Sequence, residues 1–163
     1  MKALETIGGY IDQVAKTLTQ VCVAIMAVIV TLQVIFRYFL GNPIFWAEEL
    51  ARYSLVWMTF IGAAVGLRAG LLACMDLLVT RFPAPVQKWI RVLAIALNCA
   101  LFGFLLYYSI VLVGIPSVTS QKSPAMRLPM SYVYAAMPVG LILLLLQSFI
   151  LLVETLTGKK GAN

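Results

Sequence analysis

The chain has 163 residues, of which 63% are hydrophobic and 11% charged, with a formal net charge of +6. Soluble domains are nearer half apolar, with about a quarter of their residues charged, so this composition excludes an ordinary soluble domain and places the chain in a bilayer. Four spans of about 20 residues would use half of it and leave room only for short loops.

Met1 to Gln20 reads as an amphipathic lead-in. Leu4, Ile7, Ile11, Val14 and Leu18 recur at helical spacing opposite Glu5, Asp12, Gln13 and Lys16, which suits an interfacial helix. A cleaved signal peptide is the alternative, but the apolar run starts late and lacks a small-x-small exit. The first span is expected from about Thr17 to Phe36, between Lys16 and Arg37. Thr31 and Gln33 near its far end could hydrogen-bond to neighbouring helices.

Gly41-Asn42-Pro43 signals a tight turn. The second span then runs from about Trp46 to Leu67 and opens with charge: Glu48 and Glu49 stand at i+4 and i+3 spacing from Arg52. Between Tyr53 and Arg68 no charge appears, so the cluster belongs at the interface or against protein. Trp46, Glu48, Glu49, Arg52, Tyr53 and Trp57 form a candidate partner interface; an interfacial anchor in the aromatic belt is the alternative. Gly62 and Gly66 extend it as a small-xxx-small pair suited to close helix packing.

Arg68 to Arg91 reads as an interfacial connector, apolar at 71–75 and 77–79 and broken by Pro83 and Pro85, with Asp76 capping or solvating a short helix. The third span is expected from about Val92 to Val113, with Asn98 as interhelical glue. Gly114 to Pro129 is a loop long enough to present a surface. The fourth span, about Ser131 to Val153, is uncharged and should kink at Pro138-Val139-Gly140. The expected fold is therefore all-α integral membrane, one domain over 1–163 with spans near 17–36, 46–67, 92–113 and 131–153.

Topology follows from the positive charges. Lys2, Lys16, Arg68, Arg81, Lys88, Arg91, Lys159 and Lys160 stand on one side, eight against the four of Arg37, Arg52, Lys122 and Arg127. The rule that the richer side is cytoplasmic puts both termini inside and the charged mouth of the second span outside. Arg37, Lys122 and Arg127 are then placed to dock a soluble partner with an acidic face; contact with lipid headgroups is the alternative.

Chemistry of other kinds finds little support. With no His in the chain, His-ligated haem, His-containing zinc sites and His-based acid–base catalysis are excluded. Cys22, Cys74 and Cys99 are isolated, without a C-x-x-C or metal spacing. No G-x-S-x-G or P-loop occurs, and the cations do not interleave with aromatics as a nucleic-acid surface would require. The chain reads as a non-enzymatic partner without cofactors. A self-assembling four-helix transporter or channel built around Gly62 and Gly66 is the alternative.

The residues Arg37-Tyr38, Gly41-Asn42-Pro43, Trp46, Glu48 to Tyr53, Trp57, Phe60, Gly62-Ala63-Ala64 and Arg68-Ala69-Gly70 carry a resemblance. So do Ser123-Pro124-Ala125, Leu128-Pro129, Tyr134 and Pro138-Val139-Gly140. Together the chain resembles the DctQ-type small membrane subunit of tripartite ATP-independent periplasmic (TRAP) transporters. It departs at Leu72, where the family commonly has His, while the acid matching Asp76 is kept. The resemblance implies a scaffold in a bacterial inner membrane, packed beside a large multi-span subunit that holds the substrate and sodium sites. It also implies a soluble periplasmic binding protein and sodium-driven uptake of an organic acid, a C4-dicarboxylate or, by preference, a sialic acid.

Overall fold

A computed structural model describes residues 2–68 and 83–157 of the chain. These form α1 (Lys2–Tyr38), α2 (Phe45–Arg68), α3 (Ala84–Gly114), α4 (Pro116–Thr119), α5 (Ser131–Tyr134) and α6 (Ala136–Leu156). No strand occurs among the described residues; an isolated antiparallel bridge joins Lys122 and Pro129. Four helical stretches are long and apolar enough to cross a membrane: Gly8–Tyr38, Phe45–Arg68, Val86–Gly114 and Ser131–Leu156. In hydrocarbon a helix satisfies its own backbone polar groups, which is why such runs become helices. The connector with Leu72, Cys74, Asp76 and Arg81, and the tail with Lys159 and Lys160, lie outside the described residues.

The helices pack in the order α1, α2, α6, α3, so the last span is central and α1 lies at the periphery. Ala64, Leu141 and Leu144 form the core, with Leu67, Phe102, Leu106 and Leu143 packed against it. α2 and α6 approach closely at Gly140, where an added Cβ would lie 2.5 Å from the Phe60 Cβ and 2.9 Å from its carbonyl oxygen. By contrast, a Cβ on Gly62 would meet the Thr19 Cγ2 at 3.5 Å, an ordinary contact. The backbone approach at Gly140 is thus closer than the contact at Gly62.

Pro138 acts a turn before its own position. It has no N–H to give the Tyr134 carbonyl, and the helix is interrupted at Ala135, between α5 and α6. Ala135 keeps helical angles (φ −61, ψ −20), so both pieces make one continuous span.

The lead-in and first span form one helix of 37 residues, about 55 Å at 1.5 Å per residue. Its inward face is not its most apolar one. Gly8 and Ala15 are buried and Asp12 and Thr19 half-buried, whereas Val14 and Leu18 are exposed. Half-buried Cys22, Met26, Ile29, Gln33 and Phe36 continue the inward stripe at alternating spacings of three and four. In a bilayer the apolar face turns to lipid, and small and polar residues turn to the neighbouring helix. Thr31 also differs from expectation, because its hydroxyl donates to the Ala27 carbonyl of its own helix at 2.8 Å.

Candidate partner interface at the loop end

The turn at 39–44 and the loop at 115–130 lie at the same end of the bundle, where the loop is bonded to α2. Gly41 takes φ +64 in the turn, a conformation glycine adopts at no steric cost. The charged mouth of α2 lies directly after it. Glu48 and Arg52 pair at 3.1 Å, with 69% and 66% of their side chains exposed. Glu49 does something else. Its carboxylate accepts from the Ser123 hydroxyl and from the backbone N–H groups of Ala125 and Met126, the latter two at 3.1 Å. The sequence spacing suggests one ion cluster; the structure divides it into an exposed pair and a tertiary clamp.

The clamped loop is itself folded. Ser123 N–H donates to Leu128 O at 2.9 Å, Arg127 N–H to Ser123 O at 3.0 Å, and Met130 N–H to Gln121 O at 2.9 Å. The Ser123 hydroxyl also accepts from Met126 N–H at 3.2 Å. Ser123 is only 2% exposed, and Tyr53 adds a bond from its hydroxyl to Met130 Sδ at 3.5 Å. Arg127 sits at φ 53, a left-handed conformation that non-glycine residues seldom adopt, so the closed loop holds it there.

Of the other interface candidates, Trp46 is exposed, while Trp57, Gly62 and Gly66 are half-buried and Gly62 faces α1 through Thr19. Arg37, Lys122 and Arg127 are all exposed at this end, and Arg37 lies over the Tyr38 ring at 5.9 Å. Exposed Phe39, Phe45 and Tyr132 accompany them. Ser123 is the residue that reading the sequence missed as a Glu49 partner. The available signal was Ser-Pro turn chemistry together with a carboxylate in an otherwise apolar span; the two amide donors leave no trace in side-chain identity.

The exposed Glu48–Arg52 pair has a small expected role. From spacing alone, truncating Arg52 should leave partly buried carboxylates unpaired, but Glu48 is exposed and Glu49 is satisfied by the loop. Arg52→Ala should therefore change unfolding stability by less than about 0.5 kcal/mol. Thermal unfolding of parent and variant in the same detergent checks this.

A second polar junction lies at the opposite end. Arg68 Nη1 donates to Gln147 Oε1 at 3.1 Å, and the same guanidinium lies against Gly8, joining α2, α6 and α1. Nearby on α1, Asp12 pairs with Lys16 at 2.7 Å. Among the described residues, no group of three or more His, Cys, Asp or Glu side chains comes together as a metal site.

Known proteins place these features in context. Residues 26–158 match the family described as tripartite ATP-independent periplasmic transporters, DctQ component. The C4-dicarboxylate TRAP transporter small permease protein DctQ of Rhodobacter capsulatus is 33% identical over 61% of this chain and 44% of its own length. The chain thus aligns with less than half of that relative. The protein of the same name from Vibrio cholerae is 25% identical over 94% of this chain and 75% of its own. The ectoine TRAP transporter small permease protein TeaB of Halomonas elongata is 24% identical, over 96% and 81% respectively. These relatives are transporter permease subunits rather than enzymes. A match spanning three of the four membrane helices in full, joined to this charged mouth and clamped loop, shows that the chain belongs to the DctQ component family of TRAP transporters.

Proposed function

We propose that this multi-pass small permease subunit is a scaffold: it packs beside a large multi-span transport subunit and presents its loop end to a soluble binding protein. Its termini lie in the cytoplasm and its loop end in the periplasm of a bacterial inner membrane. Transport is sodium-driven and carries an organic acid of the C4-dicarboxylate or sialic-acid type. Sodium and substrate sites belong to the large partner, and this chain needs no cofactor.

The observation that carries this reading is the state of Glu49. An autonomous ion-coupled carrier would need an available carboxylate within its spans. Glu49 is instead engaged by three donors from the chain's own loop. Asp12 pairs with Lys16 through Oδ2 near the start of the peripheral helix, while its Oδ1 makes no hydrogen bond. The description of the family as tripartite supports two further components, and relatives named for C4-dicarboxylate and for ectoine support a substrate choice made outside this subunit.

The test is purification of the tagged chain from its native membranes in mild detergent, with mass spectrometry of what accompanies it. A stoichiometric large multi-span protein is expected. Liposomes holding that complex should then take up succinate or sialic acid only with the binding protein outside and an inward sodium gradient. Recovery of a homo-oligomer that transports by itself would overturn the reading. In the reconstituted system Lys122→Glu with Arg127→Glu should weaken binding-protein engagement about tenfold or more at low salt, and less at high salt, since rim charges act mainly on association.

A further inference from the structure

The loop end carries four exposed cations, Arg37, Arg52, Lys122 and Arg127, against one exposed carboxylate, Glu48. The other carboxylate, Glu49, is turned onto the loop from within α2. Its acceptors take up the Ser123 hydroxyl and the Ala125 and Met126 amides, which are the donors of the loop's tip. Lys122 and Arg127 flank those donors. Lys122 lies in the bridge with Pro129, and Arg127 is held in a left-handed conformation by the turn that Glu49 closes. A free loop of this length would sample many shapes, and ordering it on binding would cost affinity. Here the ordering is already done by a rigid transmembrane helix.

We propose that Glu49 is a positioning residue that fixes the 121–130 loop, so that Lys122 and Arg127 meet an acidic face of the soluble binding protein in one geometry. This rests on the scaffold reading above. A protein occupant is favoured over lipid headgroups because the loop is folded back on the mouth of α2, tied at Glu49 and Tyr53 to one helix of the bundle. The Glu48–Arg52 pair makes none of these loop bonds.

The experiment uses the complete membrane complex in liposomes and the soluble binding protein captured with it by native cross-linking. Glu49→Ala and Glu49→Gln are compared with Lys122→Glu/Arg127→Glu and with the combined variant. Hydrogen exchange at the Ser123–Leu128 amides reads the clamp directly. The half-saturating concentration of binding protein reads docking. Glu49→Ala should accelerate that exchange and raise half-saturation about tenfold. Glu49→Gln, which keeps the shape but loses acceptor capacity, should fall between. Adding Glu49→Ala to the charge reversal should cost little more, because both act on one surface.

Unchanged exchange in Glu49→Ala would overturn the clamp. Faster exchange with unchanged half-saturation would overturn its role in docking. If the charge reversal also leaves half-saturation unchanged, the docking reading itself fails, which separates the two failures. An effect of charge reversal that vanishes when anionic lipid is omitted would assign the cations to headgroups and overturn the proposal.

Discussion

Replacing Gly140 with valine should separate α2 from α6 and destabilise the bundle by about 1–3 kcal/mol, the usual range for overpacking a filled site. The first added carbon would already lie 2.5 Å from the Phe60 Cβ and 2.9 Å from its carbonyl oxygen. Neither atom is the movable end of a side chain, so the strain must be relieved by shifting a helix. That helix is the central one, and its movement would disturb the core at Ala64, Leu141 and Leu144. Gly62→Ala is the internal control. Its Cβ would meet Thr19 at 3.5 Å, and stability should change by less than about 0.5 kcal/mol. Thermal unfolding of both variants in one detergent gives the comparison. Equal effects would show that the close approach at Gly140 is not what holds α2 and α6 together. Phe60→Ala should rescue Gly140→Val only in part, because the carbonyl contact persists.

Gln147→Leu should cost about 1–3 kcal/mol, since it leaves the Arg68 guanidinium without its acceptor in a partly buried site. Gln147 is 4% exposed, and its Oε1 is 3.1 Å from Arg68 Nη1. With Gly8 and Ile150 close to the site, there is little room to bring water to the abandoned donors. The informative comparison is the double variant Arg68→Met/Gln147→Leu. Removing both partners removes the unmet hydrogen bond, so the pair should be less destabilised than Gln147→Leu alone. Additive losses in unfolding experiments would mean that the two side chains act independently and that the junction is not a unit.

These two sites differ in how visible they are in the sequence. Gly140 stands out as part of Pro138-Val139-Gly140, but as a kink, because proline's missing N–H is a local property and a helix partner is not. Gln147 carries no signal. It is one polar residue in an apolar run, and its donor lies 79 positions away in sequence. Gly62 and Gly66 are marked by spacing, but spacing shows only that a face is small. Whether another backbone comes close depends on how the helices cross.

What the sequence determined by itself is the set of spans and the segments between them. That information is local: dehydrating a peptide group without a hydrogen bond is costly, so each long apolar run must be a helix, and charges collect where the runs end. The family was legible partly for the same reason, since many of its motif residues sit at those ends. Which way each helix faces was decided only by the tertiary structure. The most apolar side of α1 is turned to lipid rather than to a core, so Asp12 and Ala15 turn inward and Val14 and Leu18 outward. The partner of Glu49 was decided there too. Arg52 is its neighbour in sequence, but a loop more than 70 residues downstream brings one hydroxyl and two amide donors to the same carboxylate. Three directed hydrogen bonds from a closed loop take up the acceptors that one flexible, solvated guanidinium would otherwise share, leaving Arg52 to Glu48.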